Sequence, residues 1–137
     1  MTLGSKVHWF NPLQEMPDWH MTIYLGLPAI ILLALATGLY QLSKEKYTFT
    51  HGVLAGLSLL LTTINIVAIL PTTSVILALP TIDLFHLLHI IIGATGYAFG
   101  IGAFITGISG VRTKIPGLVA LGCWTTVFLM GYIQFLL

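Results

Sequence analysis

From Leu84 to Val111 the chain carries no Asp, Glu, Lys or Arg, and small residues recur there at alternating steps of three and four. Read from Asp83 to Gly110, DLFHLLHIIIGATGYAFGIGAFITGISG, those positions are His86, His89, Gly93, Gly96, Gly100, Ala103, Gly107 and Gly110. On a helix they share one face, because residues three and four apart stack above one another. The segment therefore predicts an apolar helix with a seam almost bare of side chains and two histidines at its N-terminal end. Glycine in a helix costs roughly 1 kcal/mol against alanine in water, so a glycine-lined face needs a physical reason. In a membrane that reason is close approach, by a second backbone or by a flat ring. Two readings stay open from the sequence: a plain helix-packing seam, or a floor on which a haem or metal is seated below the histidines.

Composition then fixes the class. Of the 137 residues, 57% are hydrophobic and 7% charged, against about 25% charged in a soluble domain. So few charges cannot cover a water-facing surface. The expected fold is all-α, an integral membrane four-helix transmembrane bundle in the cell membrane. A net charge of +1 gives no footprint for nucleic acid. Cys123 is the single cysteine. It can form no internal disulfide and reads as a small apolar core residue.

Taken in order, residues 1–18 (MTLGSKVHWFNPLQEMPD) form a polar and aromatic preface broken by Pro12 and Pro17. They read as an interfacial arm rather than a signal peptide. The transmembrane domain is expected over 19–137. Its first span runs from about 19 to 42, with Asp18 as N-cap and Pro28 bending its outer half. The second runs from about 50 to 70 and stops at Pro71. Its Asn65 is expected to bond to a neighbouring helix. Residues 71–81 (PTTSVILALPT) are too short to span and are expected as an extended or short helical stretch on the outer end. The glycine-striped third span covers about 82–109. The fourth covers about 115–135, with Pro116 in its first turn.

Lys44 and Lys46 fall in the first connection and Arg112 and Lys114 in the third, whereas the second has no basic residue. The positive-inside rule then places the first and third connections in the cytoplasm and both termini outside. His20, His86 and His89 start their spans at the outer level and His51 starts its span at the inner level. About 30 Å of hydrocarbon separates the two levels, so His51 cannot share a coordination shell with the others. His20, His86, His89 and Asp83 are the candidate metal set, with His8, Glu15 and Asp18 available from the arm. Imidazole suits zinc, copper and iron. The alternative is that interfacial histidines hydrogen-bond to carbonyls or water. His86 and His89 are the candidate cofactor-binding pair, with haem b or a copper ion as the cofactors they suit. A haem would also need a second ligand at the depth of His89, where the sequence offers no obvious mate. Gly93, Gly96, Gly100, Ala103, Gly107 and Gly110 form the candidate packing seam. There is no Ser–His–acid or Cys–His set, phosphate loop or HExxH.

The second half also carries a resemblance. His51 opens the second span in THGVLAGLSLL, and His89 opens the third in LFHLLHIIIGATGY. A short basic turn and a last span with Trp124 and Gly131–Tyr132 follow. Over residues 47–137 this resembles the small four-helix membrane proteins of the DUF420 family, which are associated with haem-copper oxidase assembly. On that resemblance His51 and His89 occupy the family's histidine positions. The family usually has a further histidine before the last helix. This chain reads VRTKIPG there, a departure that fits a chain fixed as one subunit of a larger complex.

The leading functional expectation is therefore a non-catalytic accessory or assembly subunit of a membrane redox enzyme. The enzyme would be of the respiratory haem-copper oxidase or the membrane-bound copper monooxygenase type, with other membrane subunits and lipid as partners. The alternatives are a small b-type cytochrome or metal-binding electron carrier centred on His89, and a lipid- or quinone-binding subunit using the space above the glycine seam.

Overall fold

The computed structural model describes residues 19–110 and 114–136, with side chains over 22–110 and 114–133. The expected arm, the Asp18 cap, Arg112 and the side chain of His20 lie outside the described residues. Four helices follow one another: α1 (Trp19–Leu42), α2 (Lys44–Leu77), α3 (Leu84–Ile108) and α4 (Lys114–Leu136). All four are long and apolar enough to cross a membrane.

The helices form two antiparallel hairpins. In the first, Ser58 of α2 reaches the carbonyl of Ala29 of α1, and seven residues earlier His51 reaches the carbonyl of Ala36. In the second, Gly96 of α3 lies against Cys123 and Trp124 of α4, and Gly93 lies against Val127. Each hairpin is closely packed within itself and meets the other more sparsely. The shared core is small. Leu33, Ala120 and Trp124 are buried together, with Ile30, Ala55, Leu59, Tyr97 and Leu121 packed around them, so all four helices contribute. Large apolar side chains on every helix face outward, among them Leu35, Leu60, Ile91 and Leu129.

The second span is the main correction to the sequence reading. Pro71 does not end it. α2 runs 34 residues, from Lys44 to Leu77, about 50 Å at 1.5 Å per residue, and takes in most of the stretch expected to be a separate connection. An interior proline removes one i→i−4 bond and crowds the preceding turn. Apolar helices tolerate an interior proline; the carbonyl it frees is that of Val67, and the hydroxyls beyond it, Thr73 and Ser74, bind Ile69 O and Pro71 O instead. The connection to α3 shrinks to 78–83. At the other end only Ser43 separates α1 from α2. Its extended backbone (φ −158°, ψ 101°) breaks the helix, while its N–H still bonds to Leu39 O and its carbonyl accepts from Tyr47 N–H. Lys44, Glu45 and Lys46 are thus the first turn of α2 rather than a loop.

The glycine seam is occupied from within the bundle over its first half. A Cβ at Gly96 would lie 2.5 Å from Cys123 Cβ, and one at Gly100 would lie 2.9 Å from Trp124 Cζ2. The missing side chains therefore make room for the indole of Trp124. Ala103 and Gly107 remain on α3. Gly110 does not belong to the helix face: it follows the C-cap Ser109 with φ +75°, the left-handed position that favours glycine after a helix, and its N–H bonds to Gly107 O.

Candidate functional site

Toward the end of the bundle where α1 and α3 begin, the two hairpins diverge around a cavity of about 520 Å³ lined by all four helices. Its size falls in the range of small-molecule and cofactor sites. The walls are mainly apolar, with Ile30, Ile66, Ile90 and Phe128 among them. Trp124 closes the inner end, packed on the core on one side and lining the cavity on the other.

The polar groups sort into two kinds. Most hydroxyls in the helices are satisfied locally. Thr62, Thr63 and Thr125 donate to the carbonyl four residues back at 2.8–2.9 Å, and Thr37 and Thr106 do the same. Such back-bonding lets a hydroxyl sit in an apolar helix at little cost. Thr63 is also 2.9 Å from the phenol oxygen of Tyr97, a link between α2 and α3 at the cavity wall.

Three buried atoms are different. Asn65 Oδ1, His89 Nδ1 and Trp124 Nε1 have no hydrogen-bond partner among the described residues, and all three residues line this cavity. A buried polar atom left unpaired costs about 1–3 kcal/mol. All three are sealed between the helices, Trp124 Nε1 against Gly96 of α3. Asn65 thus departs from the sequence expectation, because its side-chain oxygen is buried and makes no hydrogen bond to a neighbouring helix among the described residues.

The sequence-derived site residues fall as follows. His86 and His89 both line the cavity. His86 Nδ1 lies 3.2 Å from Asp83 Oδ2, with the imidazole buried and the carboxylate exposed. Asp83 itself is the N-cap of α3 and makes no side-chain capping bond. Among the described residues no three His, Cys, Asp or Glu side chains gather into a metal-ligating group; the fourth member of the expected set, His20, has its side chain outside the described residues. His51 lies at the opposite end, as its position in the chain requires. Its Nδ1 is 2.8 Å from Ala36 O and its ring lies 4.8 Å from that of Tyr40, tilted by 40°, so it fastens α1 to α2.

Haem fits the cavity in part. His89 could offer one axial nitrogen. His86 cannot be the opposite ligand, because it projects from the same helical face one turn away, and the described cavity lining contains no histidine on another helix and no methionine. Sequence reasoning found the two histidines. It missed Trp124 and Tyr97 as parts of the same site, and only the alignment of α3 against α2 and α4 brings them there. The spacing of Gly96 and Gly100 was the available signal that something flat would lie on α3. No family model matches the chain, and no curated protein or solved structure does either.

Proposed function

We propose that the chain is an integral membrane protein that serves as a non-catalytic accessory subunit of a larger membrane redox complex, in which it holds a flat, mainly apolar molecule between its two hairpins. The observation that carries this reading is the mainly apolar cavity of about 520 Å³ between the two hairpins, lined by all four helices. The membrane location rests on four span-length apolar helices whose outward faces carry Leu35, Leu60, Ile91 and Leu129, a surface that water would penalise and lipid accepts. The exposed Lys44, Lys46 and Lys114 sit at one end of the bundle, which by the positive-inside rule is cytoplasmic. The cavity and both termini then belong to the outer half. The resemblance to the DUF420 family points to the same setting, assembly of a haem-copper oxidase.

The test is gentle extraction from native membranes followed by mass measurement and oxidised and dithionite-reduced spectra. Recovery with larger membrane subunits supports the accessory role, and recovery alone as a single copy overturns it. A second reading, a small b-type cytochrome, is favoured by the place of His89 on the cavity wall. It requires a reduced-minus-oxidised haem band that His89→Ala removes.

A further inference from the structure

The cavity between the hairpins has a direction. Two contacts set the register of α2 against α3: Thr63 lies 2.9 Å from the phenol oxygen of Tyr97, and Gly56 lies against the ring of Phe104. Both pairs give the same antiparallel alignment, which puts Ile66 level with Ala94 and Thr72 level with Leu88. Gly26 on Phe128 and Gly93 on Val127 extend the alignment to α1 and α4. Thr22, Thr72 and Tyr132 then share one level, at the end where α1 and α3 begin, and all three line the cavity. Inward of them the walls are mainly apolar, as at Ile69, Ile90 and Phe128, and Trp124 closes the far end. Thr62, on that inner wall, is bonded back to Ser58 O, and Asn65 Oδ1, His89 Nδ1 and Trp124 Nε1 are sealed. The mouth is polar and the interior offers shape and apolar contact.

The cavity is also open along its side. Ala94 and Ala98 of α3 line it and are exposed, as are Leu70 of α2, at 53%, and Ile101 of α3, at 37%. Two alanines at this edge leave a lengthwise slot between α2 and α3, where the hairpins pack sparsely. From His86 to Ile101 the lining runs about 22 Å along α3 at 1.5 Å per residue. An extended hydrocarbon chain advances about 1.3 Å per carbon, from a bond near 1.5 Å and an angle near 111°, so about 17 carbons cover that length. A methylene fills about the volume of a liquid water molecule, about 30 Å³, so a cavity of about 520 Å³ also holds about 17. Extended, such a chain is a flat zigzag. A partner helix, 10–12 Å across, would need more than about 1,700 Å³ over the same length.

We propose that the inter-hairpin cavity is a lipid site that takes one hydrocarbon chain of a bilayer phospholipid through the slot between α2 and α3. The head group stays at the mouth, near Thr22, Thr72 and Tyr132, and the chain end points toward Trp124. The assignment deepens the ligand-holding reading above and rests on it. Trp124 serves as the reporter, because it lines the cavity yet is only 8% exposed, so lipid that merely surrounds the bundle is kept off its ring.

The test uses the full-length chain with Trp9→Phe and Trp19→Phe, which leaves Trp124 as the single tryptophan. It is placed in nanodiscs of phosphatidylcholine brominated along one chain, or of the same lipid without bromine. Bromine quenches indole fluorescence only at short range. The brominated lipid is expected to lower Trp124 emission at least twofold. Ala94→Phe combined with Ala98→Phe fills the slot and should remove most of that quenching. Gly122→Phe, at a position on α4 where a Cβ meets nothing within 4 Å and outside the cavity lining, should leave it unchanged. Ala98→Leu, a smaller plug, takes the place of the double variant if helicity is lost. Absence of quenching without a plug, or equal quenching in the plugged and Gly122→Phe proteins, overturns the lipid-chain assignment. If native lipid extract then still raises the melting temperature of the unplugged protein and not that of the plugged one, a different molecule fills the cavity and the ligand-holding reading stands. If the extract changes neither, that reading fails with it.

Discussion

Replacing Gly96 by alanine tests the packing of the second hairpin directly. The new Cβ would lie 2.5 Å from Cys123 Cβ, 2.9 Å from Trp124 Cδ1 and 3.1 Å from Trp124 Nε1. Carbon atoms in contact prefer about 3.5–4.0 Å. The nearest obstacle is a Cβ, which no rotamer change can move, so α3 and α4 must separate locally by about 1 Å. Overpacking of this kind costs about 1–3 kcal/mol, and the better helix propensity of alanine returns up to about 1 kcal/mol. The net expectation is destabilisation by about 1–2 kcal/mol. Gly102 and Gly122 provide the control, because a Cβ at either has nothing within 4 Å; alanine there should be neutral or stabilising by up to about 1 kcal/mol. Unfolding in mixed micelles, followed by helicity, gives all three values. Cys123→Gly combined with Gly96→Ala should recover part of the loss, the mark of two sites in direct contact. Equal stability of the Gly96→Ala and Gly102→Ala proteins would refute the packing of Trp124 on the glycine face.

Ser58→Leu places a large side chain where Ser58 is fully buried, 2.5 Å from Ala29 O, and is expected to destabilise the first hairpin by about 1–3 kcal/mol in the same unfolding assay. Tyr97→Phe removes the 2.9 Å link to Thr63 and should cost about 0.5–1.5 kcal/mol, with no loss of helicity. For orientation, in a Cys123→Ala background, Lys46→Cys should react with an impermeant thiol reagent only after the membrane is opened, and Leu79→Cys in intact cells; the reverse pattern would invert the assignment of the basic end to the cytoplasm.

The sequence is legible here where long apolar runs set the rule. Four apolar runs, their antiparallel order and the limits of α1 at Trp19 and Leu42 follow from length and composition. At Pro71 the sequence misleads, because an interior proline costs about 3 kcal/mol in water whereas long apolar helices tolerate it, and α2 runs through it to Leu77. The glycine face was legible as a face, but its occupant was not, since periodicity says which side of α3 is bare and nothing about which indole lies on it. The contact of Ser58 with Ala29 left no trace either, for a lone serine among leucines has no period. Ala29, Leu33 and Ala36, spaced four and three apart and all buried, did carry a stripe that could have pointed to the close side of α1. At the site the two histidines stood out by chemistry. Asn65 and Trp124 joined them only through the alignment of helices distant in sequence.

Ser43, the one residue between α1 and α2, sets how the cavity can be entered. With no slack at that joint, and with Ser58 and His51 bonded to the facing backbone further along, α1 and α2 move as one arm. α3 and α4 form the other, held by Trp124 on its glycine bed. Widening the cavity is therefore a swing of arm against arm, and the only covalent link between the arms is the stretch 78–83, at the cavity's own end of the bundle. Six extended residues reach at most about 20 Å. That tether caps the swing and keeps the arms from parting at this end of the bundle.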